Sequence, residues 1–516
     1  MLDEFDINNE FLKLKEGIYN SKKYWLIYVI MVLFGLITQM NVANYGQPIE
    51  EIIIFILVSI IGIICIAYFT SHGNDKELHK TAFIIILTFG ILLCMLTPIL
   101  GTYDEVEHFV RSEITSTGVI MPEYDNGSFN TIQSTIDLIA NSRATHDDGF
   151  DYIDMSKASI FKTDADTKPI NYTPVKYPSA FAQNPFYGYL PQAIGIALAK
   201  LLDLNAIWLV WLGRIFNIAI YAGIASFAIK KSPILKVPLI IVGCMPLTMF
   251  ISASVSIDAL ICGLSLLSVS YFFNMYKSPK NSIDNKNILI FSTIILILGL
   301  CKVTCFAFIL LLFAVPKDNF KNRQCKLLSL ISMGVLVLIA LLWTKYYANP
   351  GFFMSFRTPH HIINNVNSAQ QIDYILNHMN HAVVSVLRYP RYLGYFYDFA
   401  HSMVFSQLYM MFLGAMILMY PHEKFSLRSK IIVGIIGAIF YIGTLITFLL
   451  SWTPVGDVYT ILGLQTRYLI PFIPLLPFMF GINHVETNKF EIDSYMIMLA
   501  LAFLACDAMY LVTFAY

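Results

Sequence analysis

The chain has 516 residues, of which 57% are hydrophobic and only 13% charged, with a mean hydropathy of +0.64. Ordinary soluble domains do not reach such values, so the sequence reads as a polytopic membrane protein. Lys+Arg 34 and Asp+Glu 34 cancel, which removes any electrostatic case for nucleic acid or a strongly acidic partner. Seven of the eight cysteines (Cys65, Cys94, Cys244, Cys262, Cys301, Cys305 and Cys506) lie in apolar runs and Cys325 lies in a basic loop, a pattern without a disulfide framework.

Apolar runs of roughly 17–25 residues span a bilayer as helices that satisfy their own backbone groups. About thirteen such segments can be counted, which predicts an all-α fold. Residues 1–24 carry Lys13, Lys15, Lys22 and Lys23 and are expected to form a cytoplasmic tail by the positive-inside rule. Residues 25–100 then hold three transmembrane helices, with Lys80 marking the cytoplasmic turn before the third. That third helix delivers residues 101–204 to the external face, as a long polar loop closed by a short re-entrant or interfacial helix after Asn184. A transmembrane bundle over 205–344 follows, turning at Lys230-Lys231, at Lys277 and Lys280, and at the cation-rich loop of Lys317, Lys321, Arg323 and Lys326. Residues 345–401 make a second large external loop with short helices, and residues 402–516 supply the last transmembrane helices, ending outside.

The stretch at 101–112, Gly-Thr-Tyr-Asp-Glu-Val-Glu-His-Phe-Val-Arg-Ser, carries the most chemistry. Thr102 and Glu105 have capping-box spacing, so a short helix is predicted to begin where the third apolar run ends. On it Asp104, His108 and Arg111 fall at i, i+4 and i+7, on one face. A single acidic residue there is usually a solvated flank. An acidic pair beside cations fits a general base next to a leaving phosphate. The complementary cations at the outer boundary are Arg214, Lys302 and Arg467, each an anion contact or a lipid-headgroup anchor. Asp258 stands at an outer helix start, where capping is a sufficient reading. His360-His361, and His378 with His381, have spacings that suggest a metal, but no carboxylate sits at a fitting distance in sequence.

An ordered set of short motifs adds a resemblance. Asp104-Glu-x-x-His108-Phe, Tyr189-x-Pro-Gln-Ala-x-Gly-Ile-Ala197, Gly213-Arg-x-Phe-Asn217, Met245-Pro-x-x-x-Phe-x-x-Ala-Ser-x-Ser-x-Asp258 and Gln465-x-Arg-Tyr-x-x-Pro471 together resemble the membrane-protein family called domain of unknown function 2142. They cover roughly residues 90–480, and Thr102-Tyr103 stand where that family usually has prolines. The family in turn resembles the GT-C superfamily of membrane glycosyltransferases, which use polyprenyl-phosphate sugars. The resemblance implies a GT-C-like fold and an inverting transfer of a sugar to a cell-envelope glycan or lipid-linked acceptor outside the cytoplasmic membrane. It implies Asp104 as catalytic base, supported by Glu105 and His108. Substrate contacts are expected from Arg111, Arg214, Asp258, Lys302, Gln465, Arg467 and Tyr468. The sequence specifies no cofactor; either cations such as Arg467 or Lys302, or a divalent metal (Mg or Mn) at the acidic pair, would neutralise the phosphate. The competing reading is a transporter, flippase or non-catalytic assembly partner for lipid-linked glycans.

Overall fold

The computed structural model describes residues 7–43, 48–72, 77–122, 128–145, 151–153, 159, 163–179, 181, 184–348, 365–388, 403–420, 424–457, 461–482 and 489–515. His360 and His361 lie outside them. The chain opens with α1 (Ile7–Asn20), α2 (Lys22–Ala43), α3 (Pro48–His72) and α4 (Leu78–Leu96), and then α5 (Glu105–Ser116) begins the expected loop. In that loop β1 (Phe129–Ile132) and β4 (Pro174–Tyr177) pair antiparallel, with Phe129 opposite Tyr177. Between them lie α6 (Gln133–Ser142) and a second antiparallel pair, β2 (Arg143–Thr145) and β3 (Asp151–Ile153).

Next come α7 (Leu190–Leu201), α8 (Ile207–Lys231), α9 (Lys236–Gly243), α10 (Pro246–Ser252), α11 (Asp258–Lys277) and α12 (Asn285–Cys301). A 3₁₀ helix, Val303–Phe313, precedes α13 (Arg323–Trp343). The expected second loop contributes α14 (Ser368–Asn377) and α15 (Met379–Arg388). The chain closes with α16 (Met403–Met419), α17 (Leu427–Ser451), the 3₁₀ helix Thr466–Leu475, α18 (Leu476–Phe480) and α19 (Lys489–Ala515).

Among the described residues seven helices are long and apolar enough to cross a membrane, and the pair α1–α2, bent by 71°, makes an eighth if it is one span. The other five of the thirteen expected segments fall on shorter helices, each for a local reason. Pro246 splits 237–253 into α9 and α10, because a proline accepts only the first turn of a helix. Segments 287–300 and 402–420 are 17-residue helices. Segment 304–315 is wound as a 3₁₀ helix of 11 residues. Segment 468–482 begins as a second 3₁₀ helix, with Pro471 and Pro474 inside it breaking the i→i−4 ladder. The expected re-entrant helix is α7, 12 residues long and too short to span.

One continuous apolar core runs through α2–α4, α8–α13, α16–α19 and both 3₁₀ helices. Small residues allow the closest contacts. A Cβ on Gly195 of α7 would stand 2.2 Å from the carbonyl oxygen of Leu212 in α8, so only glycine permits that approach. A smaller cluster, with Ile99, Leu100, Val106, Phe109, Ile196 and Val255, seats α5 and α7 on the end of this bundle. Apart from Arg214 of α8, which is buried at the site end, these spans carry their basic residues at the opposite end: Lys80 in α4, Lys230 and Lys231 in α8, Lys277 in α11, and Arg428 and Lys430 in α17.

Candidate functional site

Four helix starts meet at the end of the bundle where α5 sits. A cavity of about 240 Å³ is lined there by His108 from the first turn of α5, by Ile257 and Asp258 at the start of α11, by Val303 and Thr304 of one 3₁₀ helix, and by Arg467 and Tyr468 of the other. The unsatisfied N–H groups and dipole of a helix start favour negative charge. Lys302 lines the same cavity, at the junction between α12 and its 3₁₀ continuation.

Arg467 is the centre of the arrangement. Its Nη1 donates to Asp258 Oδ2 at 2.7 Å and to the Tyr103 carbonyl at 3.2 Å. Its Nη2 donates to Asp104 Oδ2 and, at 3.1 Å, to the Tyr468 hydroxyl. The rings of Tyr103 and Tyr468 sit 5.5 and 5.0 Å from the guanidinium carbon, a cation–π cage for a cation almost wholly removed from solvent. Among the described residues its Nε finds no hydrogen-bond partner. Lys302 Nζ lies 3.7 Å from the centre of the Tyr468 ring, so two cations share one tyrosine.

Asp104 reaches Arg467 because its backbone is left-handed, with φ of 53°, immediately before α5. Non-glycine residues rarely adopt this conformation, although aspartate tolerates it better than most. Its side chain is 29% exposed against 10% for Asp258, and Oδ1 makes no hydrogen bond among the described residues. Asp104 stands at the rim rather than in the cavity wall; Asp258 is the carboxylate that lines it. Asp258 does not cap α11, because that helix has no side-chain cap and the carboxylate turns to Arg467 instead.

Glu105 has a different environment from its neighbour. It is wholly buried and receives Arg214 in bidentate fashion, from Nε and Nη2, both at 2.8 Å. Val255 N–H and Thr102 N–H, at 2.9 and 3.1 Å, complete its shell. The Thr102 bond is half of the anticipated capping box, but the hydroxyl of Thr102 has no partner and the helix starts at Glu105. Burial pushes the Glu105 carboxyl up, while Arg214 and the N–H donors outweigh it and hold it below its ordinary value. Arg214 also donates to the carbonyls of Cys94, Thr97 and Pro98, fastening α8 to the end of α4. These two residues fix the chain on either side of Asp104 and touch no part of the cavity.

The expected shared face of α5 divides. His108 turns to the cavity, whereas Arg111 donates to the carbonyls of Asn184 and Ile120 and to the Thr115 hydroxyl, tying down the surrounding loop. His108 Nδ1 lies 2.9 Å from the Tyr189 hydroxyl, which also accepts from Asn184 Nδ2 at 3.0 Å. This contact fixes the orientation of the imidazole and leaves its Nε2 edge free of Tyr189. Burial lowers the His108 pKa to about 4, against the opposing fields of Asp258 and Asp104, so the ring is neutral at neutral pH. Gln465 precedes the 3₁₀ helix of Arg467; its Oε1 is buried with no partner among the described residues, and the residue does not line the cavity.

Two positioning residues escaped the sequence reading although both lie inside quoted motifs. Asn217 Nδ2 donates to the carbonyls of Ser254 and Ser256, at 2.8 and 2.9 Å, and Gln192 Nε2 donates to Ser256 at 2.7 Å. They lock the turn that presents Asp258 and carries the Val255 N–H to Glu105. A side-chain amide set within an apolar run, Gln192 in the first turn of α7 and Asn217 well inside α8, was the available signal.

A divalent metal at the acidic pair does not fit the donor set. Both oxygens of Glu105 are occupied by Arg214 and backbone N–H groups, and Asp104 is oriented toward Arg467. No cluster of three or more His, Cys, Asp or Glu residues suited to a metal occurs among the described residues.

A helical bundle with apolar spans, carrying an ionic cage where several helix starts converge, defines a multi-pass membrane protein with a polar site at one end of the bundle. Residues 87–476 match the family described as "Predicted membrane protein (DUF2142)", and the chain belongs to that family. The matched region contains the whole site and leaves out α1–α3, the first half of α4, all of α18 but Leu476, and the whole of α19. No curated protein and no solved structure matches the chain.

Proposed function

We propose that the protein is a GT-C-type inverting glycosyltransferase that takes a sugar from a polyprenyl-phosphate donor and transfers it to a cell-envelope glycan or lipid-linked acceptor. The single observation that carries this reading is Arg467 held between Asp104 and Asp258 beside Lys302, at a cavity where four helices begin. An anionic leaving group and a carboxylate base are thereby brought to one place.

In the proposed step the Asp104 carboxylate, the more exposed of the two, takes the proton of the acceptor hydroxyl as its oxygen bonds to the anomeric carbon from the face opposite the phosphate. The bond from that carbon to the phosphate oxygen breaks, and polyprenyl phosphate departs with its electron pair. Lys302, Arg467 Nε and the helix starts offset the charge that develops there. Asp258 fixes Arg467, His108 presents its neutral ring to a sugar or phosphate oxygen, and Tyr468 walls the cavity. Glu105, Arg111 and Arg214 act as positioning residues, and Gln465 sets the entry to the 3₁₀ helix. The basic ends of α4, α8, α11 and α17 point to the cytoplasm by the positive-inside rule, which puts the site on the outer face, the amino terminus inside and the carboxyl terminus outside. The five shorter apolar segments then bring the crossings to about thirteen.

The breaks at Lys302 and Gln465 favour one rival, a flippase for a lipid-linked glycan, since transporters also gather the starts of half-helices around an anionic substrate. Mass spectrometry of envelope glycans from cells with and without the gene separates them. A transferase predicts loss of one sugar substituent from an otherwise intact polymer. A flippase predicts loss of the whole polymer with its lipid-linked precursor accumulating inside, and identical glycans would contradict both.

A further inference from the structure

The α14–α15 pair belongs to the stretch expected as a second external loop, yet its amphipathic faces are reversed relative to a water-soluble helix pair. Its polar groups turn inward: Gln371 is 0% exposed, accepting from Gly456 N–H at 2.9 Å and donating to the Asp457 carbonyl at 3.2 Å. Ser385 is buried, and the Tyr374 hydroxyl lies 3.1 Å from His381 Nδ1. Facing outward is an apolar stripe at helical spacing, Ile372 and Leu376 on α14, then Met379, Val383 and Leu387 on α15, with Leu376 66% and Leu387 72% exposed. A separate outward stripe of Asp373, Asn377 and Asn380 is polar.

Contacts with α17 set the depth. Ser368, at the start of α14, donates to the carbonyl of Leu450 at 2.7 Å. Near the end of α15 the carbonyl of Val386 accepts from the Tyr441 hydroxyl at 3.0 Å. Tyr441 is about two and a half turns below Leu450, so the pair descends roughly 13 Å along a membrane-spanning helix. Around those levels α17 itself presents Ile439, Ile442 and Ile446 outward, as a helix facing lipid does. The turn between the two helices keeps its backbone bonded, His378 N–H to Tyr374 and His381 N–H to His378, both at 2.9 Å, as an apolar medium requires.

We infer that α14 and α15 form a re-entrant wedge that inserts its Ile372–Leu387 stripe into the bilayer leaflet on the side of the site, with the polar stripe at the headgroups. The inference stands whether or not the chain transfers a sugar. The wedge lies against the same stretch of α17 that gives Thr444, Thr447 and Phe448 to the cavity wall, so it places acyl chains next to the site.

Nitroxide labels on the full-length chain in phosphatidylcholine–phosphatidylglycerol vesicles test this. Leu376→Cys, Val383→Cys and Leu387→Cys sample the apolar stripe, and Asp373→Cys and Asn377→Cys the polar one. The wild-type chain, whose cysteines are buried apart from half-buried Cys301, is the labelling blank. Labels on the apolar stripe should relax with oxygen several-fold more than with a water-soluble nickel chelate, increasingly so from 376 to 387, and the polar stripe should show the reverse. Equal nickel access at 383, 387 and 377 overturns the inference in favour of a water-exposed loop. Protection of 383 and 387 from both reagents overturns it in favour of a protein-covered face.

Discussion

Arg467 Nη1 and Asp258 Oδ2 meet at 2.7 Å across 209 residues of chain, and the same guanidinium holds Asp104 with its other terminal nitrogen. One planar cation therefore sets the spacing of two carboxylates, which a lysine cannot reproduce. Arg467→Lys is expected to abolish activity while keeping the charge. Arg467→Met leaves both carboxylates without the cation they are hydrogen-bonded to and should lower stability by about 3–5 kcal/mol, the usual result of removing one partner of a buried pair. Thermal unfolding in detergent compares the two variants, with Lys the milder.

The Glu105–Arg214 pair predicts a double-mutant cycle with strong coupling. Glu105→Gln alone leaves Arg214 without a counter-charge at a site of 0% exposure, and a loss of about 3–5 kcal/mol follows. Combined with Arg214→Met, much of that loss should return, because the desolvated charge is gone. Additive unfolding shifts would show that the two residues act separately.

Neither pairing was legible in the sequence. Glu105 and Asp104 are adjacent acids, and only the left-handed turn at Asp104 sends one to Arg467 at the rim and the other to Arg214 in the interior. Composition and basic loops were enough to mark the helical membrane fold and the segments that became its helices. Periodicity could not show that Pro471 and Pro474 turn one such segment into a 3₁₀ helix, or that Pro246 divides another. Arg111 followed the i, i+7 rule on paper, yet the carbonyls of Asn184 and Ile120 draw it away from His108, because a buried guanidinium settles where the most acceptors are. The Met245-to-Asp258 motif had a capping explanation on its own; its role became visible only with Asn217 and Gln192 holding its turn.

His108 gives a pH prediction with a defined sign. Burial lowers its folded pKa to about 4, whereas an unfolded histidine titrates near ~6.5, so the unfolded chain binds more protons between those values. Stability should therefore fall as pH drops from ~6.5 toward ~4. The depressed Glu105 carboxyl adds its own loss only at the acid end, below its unfolded value of ~4.3. In the window from ~5 to ~6.5, the slope of melting temperature against pH should be shallower for His108→Asn than for the wild type. An unchanged slope there would remove His108 as its source.

Gly195→Val tests the seating of α7 on α8. A Cβ there meets the carbonyl oxygen of Leu212 at 2.2 Å, backbone against backbone, so the helices must separate and carry Gln192 away from Ser256. Lower thermal stability together with lost activity is expected, whereas Gly223→Ala on α8, where a Cβ meets open space, should leave both unchanged.

The most direct test of the account is Asp104→Asn in cells that carry normal amounts of the protein in the membrane. The asparagine keeps the size and left-handed tolerance of the aspartate but cannot take a proton from an acceptor hydroxyl. Mass spectra of the envelope glycan should match those of cells without the gene, while the variant protein melts within a few degrees of wild type. Full transfer by the Asp104→Asn protein would contradict its assignment as the catalytic base.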